Sequence, residues 1–184
     1  MKIFVAGTVN KDINPKYLEG IKELGQLLLD KKHEIMCVGA STGSIGEIYN
    51  HYIKHKGHVD LIVPVPYAHE AEGMVANSKT YVDTLFILQQ LALRNTSATI
   101  VLPGGNGTLA ELYMMTDNKK TKFDTDLIIV FNINGFYDKI KEMNKFMLDN
   151  GCLTPKQSKY FTFCNTAEEV MDQLNKWEAT KLKN

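Results

Sequence analysis

The sequence predicts an α/β fold, a doubly wound parallel sheet with helices on both faces. Three observations support this. Short β-branched runs alternate with longer segments of helical periodicity. Glycine-bearing loops follow three of the strands. At 184 residues and 44% hydrophobic content, the chain can bury one substantial core, so a single domain over residues 1–184 is expected.

Lys2 to Ala6 reads as the first strand. A helix follows from Pro15 to Lys32, carrying Leu18, Ile21, Leu24, Leu27 and Leu28 on one face, with Pro15 suited to its first turn. Glu34 to Val38 is a second strand. The loop Gly39-Ala40-Ser41-Thr42-Gly43-Ser44 leads from it into a helix from Ile45 to Lys56. Val59 to Val65 is a third strand, and Pro66 to Ala76 is polar and irregular. Ser78 to Arg94 reads as one long helix, apolar on nearly all sides and therefore buried or engaged in a dimer contact. Strands from Ala98 to Leu102 and from Asp126 to Asn132 follow, separated by another helix, and a helix runs from Gly135 to Leu148. Lys159 to Cys164 and Thr166 to Lys181 give the last strand and helix, where Thr166 and Glu169 have the spacing of a capping box.

The segment most telling about chemistry is Pro103-Gly104-Gly105-Asn106-Gly107-Thr108-Leu109-Ala110-Glu111, between a buried strand and a helix-competent run. Unpaired N–H groups and the positive end of a helix dipole converge at such a junction, which makes it an anion site. The backbone of Gly104, Gly105, Asn106, Gly107 and Thr108 is the expected phosphate cradle, with the Thr108 hydroxyl as a further donor. A carboxylate one turn later weakens anion binding unless it serves chemistry, so Glu111 is the candidate catalytic group. Two plainer roles stay open: Glu111 as a carboxylate favoured by the helix dipole, and Thr108 as a helix cap. In a parallel sheet the loops at Gly7-Thr8, Gly39 to Ser44 and Pro103 to Thr108 share the carboxyl edge, where such folds bind ligands. Gly7, Thr8, Gly39, Ser41, Thr42 and Gly43 are therefore the other candidate ligand contacts.

Composition narrows the partner. Lys+Arg and Asp+Glu number 21 each, the formal net charge is zero and the basic residues are scattered. The expected partner is a small molecule, with neither a nucleic-acid polymer nor a membrane. Cys37, Cys152 and Cys164 are irregularly spaced, which argues against a disulfide framework or a zinc site and for a reducing cytoplasm. The apolar run at the N-terminus is too short for a signal segment. His51, His55 and His58 lack an acidic or cysteine companion, so they read as surface histidines and no metal is called for. Glu70 and its neighbours His69 and Glu72 fit either a ligand-contacting loop or solvated charge, and Lys119, Lys120 and Lys122 a solvated helix end.

Pro103 to Glu111 resembles the PGGxGTxxE signature of the LONELY GUY family, the phosphoribohydrolases that activate cytokinins and are often labelled lysine decarboxylases. Val5-Ala6-Gly7-Thr8, Val38 to Gly46 and Gly135-Phe136-Tyr137-Asp138 are similar to further segments of that family. The resemblance implies a Rossmann-like homodimer that needs no cofactor and hydrolyses the N-glycosidic bond of a nucleoside 5′-monophosphate of adenine or cytokinin type. Free base and ribose 5-phosphate would be the products. Relatives on this fold also include molybdenum-cofactor carriers and noncatalytic nucleotide binders, the alternative activity. The dimer contact would use the 78–94 region. Lysine decarboxylation would need a Schiff-base lysine and pyridoxal phosphate, and nothing marks a lysine for that work.

One departure stands out. The family carries Arg, often followed by Lys, where an ungapped count places Leu88 and Gln89. Arg94, the chain's single arginine, lies roughly 240° further round a helix, and Lys79 is also off that face. Either another cation, supplied for instance by a partner subunit, completes the site, or a nucleotide is held without being cleaved. A pure interaction module, with structural glycines and a dimerising 78–94 helix, is the third reading.

Overall fold

The computed structural model describes residues 1–120 and 127–181. Seven strands form one parallel sheet: β1 (Lys2–Ala6), β2 (Glu34–Val38), β3 (Val59–Pro64), β4 (Ser78–Val82), β5 (Ala98–Val101), β6 (Leu127–Phe131) and β7 (Thr162–Cys164). Their spatial order is β4-β3-β2-β1-β5-β6-β7. Chain order reverses direction between β1 and β5, so a crevice opens beyond their carboxyl ends. The interior strands are short and apolar because a parallel strand is covered on both faces.

Alternation along β1 divides the core. Ile3 and Val5 pack with Ile21, Leu24 and Leu28 of α1 (Leu18–Asp30), Ile45 and Ile48 of α2 (Gly43–Lys54), and Val170 and Leu174 of α6 (Ala167–Lys181). Phe4 and Ala6 point the other way, onto Leu88 and Ala92 of α3 (Leu85–Asn95) and Leu112 and Met115 of α4 (Asn106–Lys120). The remaining helix, α5, spans Asp138–Asp149. The doubly wound, Rossmann-like architecture is as the sequence predicts.

Local chemistry sets the boundaries. Asn14 caps a 3-10 turn at Pro15–Tyr17 by accepting from Lys16 N at 3.1 Å, and α1 continues from it. Thr166 Oγ1 accepts from Glu169 N at 3.2 Å, and the Glu169 carboxylate reaches back one residue further than in a standard capping box, to Asn165 N at 2.7 Å. Asp126, the expected start of the fifth strand read from the sequence, and Lys122 lie outside the described residues.

The expected helix over Ser78 to Arg94 is corrected. Ser78–Val82 is strand β4, in parallel register with β3 from Asp60↔Ser78 to Pro64↔Val82, and the helix begins only at Leu85. Thr80, Tyr81 and Val82 favour extended backbone, and Thr84 Oγ1 caps α3 by accepting from Ile87 N at 3.2 Å. The polar residues of β4 disguise it, because an edge strand has one neighbour and faces solvent. Lys79 consequently sits on a strand, where its Nζ donates to the Ala71 carbonyl at 3.1 Å.

Candidate active site

Three loops converge at the β1/β5 switch point, and one buried hydroxyl ties them together. Ser44 Oγ donates to the Pro103 carbonyl at 2.8 Å and accepts from Thr8 N at 2.9 Å. Thr8 N also lies 3.3 Å from the Pro103 carbonyl, and Ile45 N donates to Thr8 O at 3.2 Å. This knot opens onto a cavity of about 480 Å³ walled by the loops after β1, β2 and β5, the start of α3 and the first turns of α4.

The segment expected to cradle a phosphate lies at the start of α4. Asn106 is the first residue of the helix, so the opening amides have no intrahelical acceptor, and Gly105 to Thr108 line the cavity. Leu109 N is the first to donate back, to Gly105 O at 3.0 Å. Gly105 and Gly107 have no atom within 4 Å of where a Cβ would stand, so both backbones are open to a ligand. At Gly104 a Cβ would collide with the Thr108 side chain, which packs down on it. Gly105, Asn106, Gly107 and Thr108 line the cavity, whereas Gly104 lines a shallower groove on the other side of the loop, with Thr8, Gly105 and Phe136.

Glu111 lies on the same wall, one turn along α4. Burial pushes its carboxyl up to about 7, so at neutral pH it is shared between protonated and ionised forms. Beneath the loop, the buried Tyr137 donates its O–H to the Leu102 carbonyl at 2.7 Å, and burial pushes its phenol above the ordinary range. Asn132 Oδ1 accepts from Tyr137 N at 2.6 Å while its Nδ2 donates to Asp138 Oδ1 at 2.8 Å. The Gly135-Phe136-Tyr137-Asp138 segment therefore braces the glycine loop from below.

Gly7, Thr8 and Gly39 line the cavity, but Ser41, Thr42 and Gly43 do not. Thr42 Oγ1 donates to the Val9 carbonyl at 2.6 Å, and Gly43, at φ +73°, lies against the Thr8 carbonyl. The structure adds Tyr67, Glu70, Leu85 and Gln89 to the wall. Glu70 realises the ligand-facing option open to its segment. Tyr67 and Leu85 carry no sequence signal of their own.

Of the two positions where a cation was expected, Leu88 is fully buried in the core, and Gln89 is the one that reaches the cavity. No described lysine, arginine or histidine lines it, so no described residue there could form a Schiff base. Arg94 lies in the last turn of α3. The expectation of surface histidines needs correction at His51, which is 8% exposed with Nε2 3.2 Å from Gln26 Oε1. Among the described residues no group of three His, Cys, Asp or Glu is placed to hold a metal ion, all three cysteines are free, and no helix is long and apolar enough to cross a membrane.

The family model described as possible lysine decarboxylase matches residues 44–174. A cytokinin riboside 5′-monophosphate phosphoribohydrolase of Arabidopsis thaliana is 25% identical over 166 residues, covering 89% of this chain and 76% of the relative. The chain belongs to the LONELY GUY family. Two solved structures share the fold at 15% identity. The molybdenum cofactor binding protein of Rippkaea orientalis superposes with a TM-score of 0.70 over 95% of both chains. The molybdenum cofactor carrier protein of Chlamydomonas reinhardtii does so at 0.71 over 97% of this chain and 98% of its own. In this chain the cavity wall carries Glu111 on α4 and the carboxamide of Gln89 on α3.

Proposed function

We propose that this chain hydrolyses the N-glycosidic bond of a nucleoside 5′-monophosphate, giving free base and ribose 5-phosphate, on a single Rossmann-like domain. The observation that carries this reading is the placement of Glu111 on the cavity wall that also presents the open amides of Gly105 to Thr108. The phosphate seats on those amides, and binding energy from this non-reacting group fixes the sugar against the acid. As the bond to the base lengthens, positive charge builds on the ribose ring. The Glu111 carboxylate stabilises that charge and orients the water that adds to the anomeric carbon, in the manner of glycoside hydrolysis. The base leaves with the bonding electron pair and takes up a proton, and the water gives one up as its oxygen bonds to the anomeric carbon, so that one water is consumed overall.

Incubation with adenosine monophosphate and N6-substituted analogues, followed by chromatography, should show release of free base. Glu111→Ala should lower turnover by roughly 10²-fold or more. Activity should rise with pH through about 7, because the ionised carboxylate is the working form.

A second reading, a nucleotide or cofactor carrier on the same fold, is favoured by the absence of a cationic side chain among the described residues lining the cavity. A broad substrate panel giving no cleavage but clear thermal stabilisation by ligand would select it. We also propose a homodimer that covers the exposed Tyr81 of β4 and Leu85 and Phe86 of α3. Light scattering during gel filtration should give twice the chain mass, and Phe86→Glu should return it to one.

A further inference from the structure

We propose that Gln89 is the specificity-determining residue of this pocket and reads the edge of a nucleobase that offers an N–H donor beside a ring-nitrogen acceptor. This rests on the pocket being a nucleoside monophosphate site.

Gln89 is 5% exposed, and its Oε1 is a buried acceptor with no hydrogen-bond partner. A buried carbonyl oxygen left unpaired forfeits its hydration and gains nothing in return, so such groups call for a specific account. Here the side chain also lines the ligand cavity. Packing alone would be served as well by Leu or Met, neither of which strands a polar atom.

The lining falls into two parts by element. The α4 part offers the opening amides of the helix, suited to phosphate, with Glu111 one turn on. Away from α4 the lining combines Val38, Pro64, Leu85 and the aromatic ring of Tyr67 with two polar side chains, the Glu70 carboxylate and the Gln89 carboxamide. A largely apolar lining with few polar side chains suits a heteroaromatic base, the neutral carboxamide is the one that can both donate and accept, and about 480 Å³ lies within the range of small-ligand pockets. A carboxamide holds a donor and an acceptor in one plane and turns about its last bond to present either. Glutamine pairs in this way with the N–H and ring nitrogen of adenine. Being neutral, Gln89 does not replace a guanidinium beside an anion. Its contribution is selection among bases.

The test is titration calorimetry on the wild type and Gln89→Met with three probes: adenosine monophosphate, purine riboside 5′-monophosphate and ribose 5-phosphate. The second probe lacks the exocyclic amine without adding bulk. The wild type should prefer adenosine monophosphate over purine riboside 5′-monophosphate by roughly 10- to 100-fold. Gln89→Met should lose that preference, keep the ribose 5-phosphate affinity, which also reports that it is folded, and melt no lower than the wild type. A preference that survives Gln89→Met, or its absence from the wild type while ribose 5-phosphate still binds, overturns the role of Gln89 and leaves the phosphate site standing. Failure of all three probes to bind the wild type overturns the nucleotide site itself, and the role of Gln89 with it.

Discussion

The two long glycine loops at the carboxyl edge look alike in sequence and do opposite work. In the loop after β2, contacts are spent internally. Gly43 lies against the Thr8 carbonyl, a Cβ on Gly46 would strike the Ser41 backbone, and Thr42 and Ser44 donate to Val9 and Pro103 carbonyls. In the loop after β5, Gly105 and Gly107 face open space. The first loop is a clasp and the second, in the function proposed above, a cradle. Of the two loops, only the second leaves the space freed by a missing side chain unfilled by the protein itself.

This contrast predicts a graded series of effects. The largest should come from Gly43→Ala, which puts a side chain at φ +73° and a methyl group against the Thr8 carbonyl. Strain and overpacking together should cost about 3 kcal/mol, measured by urea denaturation. Stability close to wild type would erase the distinction between the loops. Ser44→Ala should come next, at about 1–3 kcal/mol, because it strands the buried partners of the clasp.

Glu111→Gln probes the acid beside the cradle. The native carboxyl keeps its proton up to about 7 and the unfolded one releases it near 4.5, so the wild type loses stability as pH rises through that window. Gln escapes the loss. The melting-temperature advantage of the variant should therefore grow between pH 5 and pH 8, by roughly a few degrees. An advantage that stays flat with pH would mean that Glu111 is solvated. The smallest stability change belongs to Gly107→Ala, which adds a methyl group in open space within a helix. Unfolding should shift by about 1 kcal/mol or less, in the stabilising direction. Stabilisation by ribose 5-phosphate should nevertheless fall in a thermal-shift assay, since the methyl group occupies ligand space.

Much of this arrangement is legible in the chain. The strands from Lys2 to Val101 outside β4, the turn at Pro103 and the helix behind it follow from local pattern and turn chemistry, because apolar periodicity reports burial. The edge strand β4 is not legible in that way, since one-sided pairing removes the apolar signal while the apolar run from Leu85 onward extends the helical pattern back over it. That Thr42 and Gly43 serve the clasp and do not line the cavity is equally hidden. Composition marks the loop as tight but not the direction its hydroxyls take.

By itself the sequence determined the parallel α/β architecture, the gathering of glycine loops at one sheet edge, and the glycine turn that opens a helix after Pro103, since these depend on backbone geometry and nearest neighbours. Tertiary structure alone decided which loop is clasp and which is cradle, that Gln89 and not Leu88 reaches the cavity, and that the Glu111 carboxyl is crowded enough to hold its proton to about 7. Those outcomes depend on groups brought together from distant points in the chain, such as Ser44 and Pro103, and desolvation and hydrogen-bond partners exist only once such groups have met.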